Sequence, residues 1–418
     1  MKNLETLIQE LCPDGVEFLK LGDVGTFYGG LSGKSKADFT DGNAKLVTYM
    51  NVYSNPALNT DIKDFVKIEE GEKQNKILYG DILFTGSSET PNECGMTSVL
   101  TEKTEEDFYL NSFCFGYRFN DIDDVNPGFM KHLFRSHMLR KALAKTASGV
   151  TRFNVSKKKV ANIEIPLPPI EVQTEIVRIL DKFTSLEAEL EAELDCRKRQ
   201  YEYYRDKLLS FDNVGGQEVE WKKMSEVFDM KNGYTPSKAK AEYWEGGTIP
   251  WFRMEDIREN GRILSDSIQH ITMVGVKKGK LFPANSFILA TTATIGEHAL
   301  VISDSLANQQ FTNLTVRKSL SDRLLIKFVF HYMFIVDEWC KKNINVSGFA
   351  SVDMNKFKKL EFPIPSLEEQ HRIVSILDRF ESLTTSLQSG LPAEITARRQ
   401  QYEYYRDKLL TFKRKGAA

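Results

Sequence analysis

Residues 200–209 read QYEYYRDKLL, and residues 401–410 read QYEYYRDKLL again. Ten identical residues at an offset of 201 are the mark of an internal duplication. A second matched block precedes each copy. Residues 166–183 read PLPPIEVQTEIVRILDKF and residues 363–380 read PIPSLEEQHRIVSILDRF, identical at ten of eighteen positions with an offset of 197. Four extra residues therefore separate the two blocks in the second copy. The regions in between correspond only loosely: Val16-Glu17-Phe18 answers Val219-Glu220-Trp221, and Ser148-Gly149 answers Ser347-Gly348. The plan is variable region, conserved segment, variable region, conserved segment.

The conserved segments have the period of long helices. In the first, seam positions fall at Ile176, Ile179, Phe183, Leu186, Leu190, Leu194, Arg197, Tyr201, Tyr204, Leu208 and Phe211. This is a heptad seam with one four-residue stutter. The second runs from Ile373 to Phe412 with one stutter more, which accounts for the four extra residues. Prolines 166, 168 and 169 precede the first helix and prolines 363 and 365 the second, as start signals. Ser366 and Glu369 have capping-box spacing. Gly390-Leu391-Pro392 should break or kink the second helix. A helix of about forty residues would span ~60 Å. Periodicity alone fits a dimerisation arm equally well; duplication within one chain favours antiparallel pairing of its own two helices.

The expected fold is α+β: two α/β domains, related by a pseudo-two-fold, alternating with two long helices. The boundaries are 1–15 for a short N-terminal helix and lead-in, 16–160 for the first variable domain, 161–215 for the central helix, 216–358 for the second domain and 359–418 for the C-terminal helix. Short β-rich runs punctuate the variable domains, including residues 45–50, 81–85, 113–119 and 286–290. Helical stretches close them at residues 128–145 and 324–342. Leu4, Leu7, Ile8 and Leu11 place one apolar face on the N-terminal helix.

Composition bounds the function. The 418 residues are 41% hydrophobic and 27% charged, an ordinary globular balance, with a net charge of −2. A uniformly basic nucleic-acid coat is excluded; a local basic face is not. Five cysteines, none at CxxC spacing, indicate neither a disulfide framework nor a zinc ribbon. A reducing cytoplasm is the simplest setting. The N-terminus has no apolar signal core, and the longest apolar run, residues 328–336, is far short of a membrane span of ~20 residues.

Residues 131–160 hold nine Lys or Arg and no Asp or Glu, a candidate phosphate-facing surface. A solvated helix face is the alternative. The candidate DNA-contacting residues are Lys34, Ser87, Arg152, Lys157, Lys158 and Lys159 in the first domain. In the second they are Ser237, Lys238, Arg253, Thr291, Thr292, Asn308, Gln309 and Gln310. Asn and Gln can bond adenine bidentately, and Arg can do so with guanine. Glu202, Arg205, Glu403 and Arg406, off the helix seam, are candidate partner contacts.

Catalytic motifs do not emerge. Residues 29–35, GGLSGKS, imitate a phosphate loop, but Tyr28 stands where the GxxxxGK[ST] spacing needs glycine. No HExxH, GxSxG or Asn/Asp-Pro-Pro-Tyr sequence occurs, and Asp61-Ile62-Lys63 is more simply an exposed turn than half a nuclease site. No catalytic or metal-ligating residue is assigned.

Two divergent domains alternating with near-identical helices, with EAELEAEL at 187–194, LPAEI at 391–395 and the opening LIQELCPDGVE at 7–17, resemble the specificity subunit of a type I restriction–modification system. The helices are most similar to the tetrapeptide-repeat, type IC-like, subgroup. The resemblance covers essentially the whole chain. It implies a non-catalytic subunit that reads a bipartite double-stranded DNA target, one half-site per variable domain. Its helices would bind two methyltransferase subunits, which hold S-adenosylmethionine and methylate adenine. Restriction subunits would add ATP- and Mg-dependent translocation and cleavage. This chain would bind none of these cofactors itself. The recognition subunit of a fixed-distance-cutting restriction system and a stand-alone DNA-binding regulator are the alternatives.

Overall fold

The computed structural model describes residues 4–211, 219–345, 348–385 and 390–416. The chain forms two compact units. One comprises Met1–Glu191 with Glu394–Ala418; the other is Ala192–Ala393. The conserved helices are therefore parts of the units and not separate bodies. Each unit takes one portion of the long helix Ile170–Leu209 and one helix of the second conserved segment, Leu391–Leu409 or Leu367–Thr385.

In the first unit a four-stranded antiparallel sheet has the order Gly25–Gly29, Cys114–Phe119, Ile82–Thr85, Thr97–Val99. A second sheet sets Ala44–Val47 between Phe65–Val66 and Phe108–Leu110. The β-rich run expected at 45–50 stops early. Thr48 accepts a hydrogen bond from the Asn51 amide and caps a helix, Tyr49–Ser54. The helical stretch expected at 128–145 is two helices, Pro127–Leu133 and His137–Ala144, the second capped by Ser136. Phe129, Met130, Leu133 and Phe134 bury against Val172, Ile176 and Leu180 of the long helix. Tyr402 and Tyr405 of the C-terminal helix pack on the same core.

The N-terminal helix is Leu4–Leu11. Leu4, Leu7 and Ile8 join the core, but Leu11, expected on the same face, is exposed. The following segment is tied to the chain end: the Val16 amide donates to the Lys413 carbonyl, and the Lys415 amide to the Val16 carbonyl.

The second unit repeats this plan. Its five-stranded sheet has the order Phe228–Asn232, Phe311–Val316, Ser286–Ala290, His298–Val301, Ile263–Leu264. The helix Ile326–Lys342 buries Phe328, Val329, Met333 and Val336 against Ile373 and Leu377. Two-stranded ladders close both units at their roots, Phe18–Lys20 on Glu164–Pro166 and Glu220–Lys223 on Glu361–Ile364.

The helix starts obey the sequence signals. The Glu369 amide donates to Ser366 Oγ at 3.3 Å, one half of the expected capping box. Gly390 has φ 93°, the left-handed region, and Leu391 starts a new helix with Pro392 in its first turn. Ser347, the part of the second seam at residues 386–389 and the end of the 161–215 segment lie outside the described residues.

Candidate nucleic-acid interface

Each unit carries a small β-hairpin directly before its last short helix. In the first, Ala147–Ser148 pairs with Phe153–Val155, which also pairs with Ser87–Ser88. In the second, Ile344–Asn345 pairs with Ser351–Val352, and the Val352 amide donates to the Thr291 carbonyl. The polar clusters picked from sequence, Ser87 and Thr291-Thr292, thus border equivalent hairpins. Val150 and Phe349 stand almost fully exposed between the paired strands. Neither was singled out in the sequence. The signal available was the shared Ser-Gly followed by an apolar residue.

In the first unit Ser87 and Arg152 meet: Arg152 Nε donates to Ser87 Oγ at 3.0 Å. Ser87 is buried, so it holds the arginine and is not itself a surface contact. Both line an open cleft of about 440 Å³ with Tyr49, Met50, Tyr53 and Glu93.

The basic stretch is not one face. Lys131 pairs with Asp181 at 2.7 Å. Arg135 donates to the carbonyls of Val52 and Tyr53, and Arg140 to those of Asn92 and Cys94. Burial pushes the Arg135 guanidinium down to about 10. These three cations stitch the unit together. Lys157, Lys158 and Lys159 do face solvent, in the short helix Lys157–Val160. Lys34 does not: its side chain is 7% exposed, its ammonium 2.5 Å from Glu72. That ion pair holds the Glu72 carboxyl at about 2. Lys34 therefore leaves the DNA-facing set, and the segment expected not to be a phosphate loop has its lysine already neutralised.

In the second unit Asn308 and Gln310 bond each other, with Asn308 Nδ2 donating to Gln310 Oε1 at 3.2 Å. Gln309 is exposed and accepts from Thr235 Oγ1 at 2.5 Å. Thr291 is buried, its hydroxyl 3.1 Å from that of Thr312, while Thr292 is half-buried. Ser237 and Lys238 are exposed, with the Ser237 carbonyl accepting from the Trp244 indole. Arg253 lies over the Trp251 ring at 5.9 Å and is half-buried.

On the conserved helices the inward and outward sets differ from the sequence expectation. Arg205 lies over Phe334 at 5.1 Å, and Arg406 over Tyr402 at 5.5 Å; each side chain is only 12% exposed. The seam's neighbours, not solvent, take these guanidinium groups. Glu202 and Glu403 are exposed as expected, and beside them Tyr203 and Tyr404 are 60% and 62% exposed. Both tyrosines were passed over, although exposed aromatics are strong partner anchors.

A His-Asp-Tyr cluster recurs. His132 meets Asp181 at 2.7 Å and Tyr402 at 2.8 Å; His331 meets Asp378 at 2.8 Å and Tyr201 at 3.4 Å. Potential ligand atoms of His331, Asp378 and Glu381 lie within 4.8 Å of one another. The Lys327 ammonium, 3.5 Å from Asp378 and 3.9 Å from Glu381, already supplies the cation there.

The chain matches the type I restriction modification DNA specificity domain family twice, over residues 13–195 and 217–397. It belongs to that family. It is 54% identical over 217 residues to the EcoprrI specificity subunit of Escherichia coli, covering 50% of this chain and 53% of that one. The EcoR124I/EcoR124II specificity subunit of Escherichia coli is 42% identical over 273 residues, 62% of this chain and 64% of the relative. A putative Haemophilus influenzae specificity subunit is 34% identical over 306 residues, 70% of this chain and 74% of the relative. This family member thus spans between half and two thirds of the length of the two Escherichia coli relatives. Among solved structures, a chain from a study of assembly and conformational transition in the type I system superposes with a TM-score of 0.64 at 18% identity, over 95% of this chain and 97% of that one. The HsdS subunit of Thermoanaerobacter tengcongensis gives 0.50 at 19% identity, covering 96% and 97%. These likenesses carry the fold.

Proposed function

We propose that this chain is the non-catalytic DNA-recognition subunit of a type I restriction–modification complex, each unit reading one half of a bipartite double-stranded target. The observation that carries this reading is the double family match, one copy on each unit, with a polar-rimmed hairpin recurring in both. One protein with two related reading units can address two half-sites along a duplex, as dimeric readers do. Adenine methylation needs a flipped base held in a dedicated pocket. That chemistry, with S-adenosylmethionine, ATP and Mg, belongs in this reading to partner subunits.

Two identical methyltransferase subunits would find two equivalent docking sites here. Exposed Glu202 and Tyr203 on one helix recur as Glu403 and Tyr404 on the other. Clefts recur at the root of each unit, lined by residues 167–170 in one and 364–367 in the other. Restriction subunits would join through this assembly. No helix among the described residues is long and apolar enough to cross a membrane, and the proposed setting is the cytoplasm, where the DNA is. The tetrapeptide-repeat subgroup is proposed on EAELEAEL.

The test is co-expression with a cognate methyltransferase subunit. The expected result is a stable complex that methylates adenine in a split target, with no methylation by either component alone. Methylation by this chain alone, or failure to bind the methyltransferase, would overturn the reading.

A further inference from the structure

Arg152 is set up as a rigid fork. Its Nε is engaged by the buried Ser87 hydroxyl at 3.0 Å, and its guanidinium lies over the exposed Phe113 ring at 5.9 Å. Ser87 is fixed in turn: its carbonyl accepts from the Tyr49 hydroxyl at 2.9 Å, and it pairs with Asn154 of the hairpin. The backbone of Arg152 is fixed as well. Gly149 has φ 149°, and a Cβ there would stand 2.0 Å from the Arg152 carbonyl oxygen, so the hairpin turn closes directly on this residue. Yet Arg152 is exposed, and its two terminal amino groups have no acceptor among the described residues.

A guanidinium held by Nε and a ring face, with Nη1 and Nη2 left open, is a bidentate donor already oriented before a ligand arrives. Little side-chain freedom remains to be lost when both bonds form. Guanine N7 and O6 are the paired acceptors that this fork fits in a major groove. The same cleft is lined by the carboxylates Glu89 and Glu93. Glu93 is kept ionised by hydrogen bonds from Thr90, Tyr53 and Ser88. A carboxylate accepts from the cytosine N4 amino group, the other half of a G·C pair.

Resting on the recognition reading above, we propose that Arg152 is a specificity-determining residue: it reads the guanine of one G·C pair in the half-site of the first unit. The second unit has no arginine in its hairpin, residues 344–352, so the assignment is confined to one half-site.

The experiment uses the full chain with its methyltransferase subunits. Methylation is mapped in cells, and binding is measured on duplexes varied at each half-site position, for the wild type, R152A and R152K. The expected wild-type result is a split target with a G·C pair in one half. R152A should lose roughly 5- to 150-fold discrimination at that pair alone, the range of one bidentate contact, and R152K less, since an ammonium still donates to O6 or N7. The other half-site and the thermal midpoint should stay unchanged. R152K retains the charge but not the planar fork; binding by R152A that is weaker on every sequence alike, with specificity kept, would overturn the assignment and mark a phosphate contact. Unchanged specificity in R152A, or relaxation at a pair other than G·C, would overturn it too. A wild type with no split target would bring down the recognition reading along with it.

Discussion

The Nδ1 of His132 lies 2.8 Å from the hydroxyl of Tyr402, 270 residues further along the chain. The other ring nitrogen faces Asp181 Oδ1 at 2.7 Å. Hydrogen bonds from His132 and Lys131 outweigh the burial that opposes ionisation, and hold the Asp181 carboxyl at about 2. An ionised carboxylate only accepts, so Nε2 carries the proton and Nδ1 of the neutral ring accepts from Tyr402. One buried imidazole therefore fastens the domain helix Pro127–Leu133 to both conserved helices of its unit. His331 repeats the arrangement with Asp378 and Tyr201.

Burial holds the His132 pKa below its ordinary 6.5, despite the opposing pull of Asp181. As pH falls below 6.5 the unfolded chain takes up the proton first, so the folded unit loses stability; above that value the histidine adds no pH dependence. Asp181 works in a different window. Its lowered value stabilises the fold above 3.8 and is lost only as pH drops towards about 2. The thermal midpoint should thus fall between pH 7 and pH 5, and the slope should flatten in His132→Asn. Parallel slopes in a thermal scan of the two proteins would contradict this.

Gln173 is buried and makes three bonds: its Nε2 donates to the carbonyls of Asp124 and Pro168, and its Oε1 accepts from the Asn126 amide. Gln370 makes the same three, to Arg323, Pro365 and Leu325. Alanine at either position leaves backbone groups unpaired in a closed site. The expected cost is about 1–3 kcal/mol, read as a lower urea midpoint. A loss below ~0.5 kcal/mol would show that water replaces the amide.

This glutamine marks how far the sequence could be read. Its identity in both copies was plain, as were the helical period and the connector plan, because these patterns are local. Two of its three partners in each copy, a carbonyl and an amide, are more than forty residues away, which spacing does not reveal. The same holds for the basic stretch. Nine like charges in thirty residues looked like a surface, but Arg135 and Arg140 turn inward to backbone carbonyls of residues 52–53 and 92–95. In the candidate interface, Ser87 and Arg152 were picked separately; only the pairing of distant strands joined them. Exposed Tyr203 and Tyr404 lie off the seam and were missed because only the charged off-seam residues of QYEYYRDKLL were taken as partner contacts.

With Lys131, Arg135 and Arg140 engaged in the fold, Lys157, Lys158 and Lys159 should supply non-specific grip alongside exposed Lys141 and Lys145. Replacing these three by alanine should weaken binding of the methyltransferase complex equally on all sequences. It should also lower the log–log salt slope by up to about 3. A titration series across salt concentrations that leaves the slope unchanged would return these lysines to a solvated face.

The tandem EAEL units should set the length of the unspecific spacer. Deleting residues 191–194 removes one four-residue stutter and leaves the heptad seam intact, so folding should persist. The exposed Arg399–Glu191 pair, at 3.2 Å, is lost with little cost. The rod shortens by ~6 Å. In methylation maps the spacer should contract by one or two base pairs of ~3.4 Å each while both half-sites are retained. An unaltered spacer would show that the helix is not the ruler.

The most direct test of the account replaces residues 16–160 with the corresponding domain of another member of the family, followed by mapping of methyladenine in cells that carry the chimera and its methyltransferase. If each unit reads its own half-site, one half of the split target changes and the other half is kept base for base. A chimera that folds and methylates but alters both halves, or neither, would contradict it.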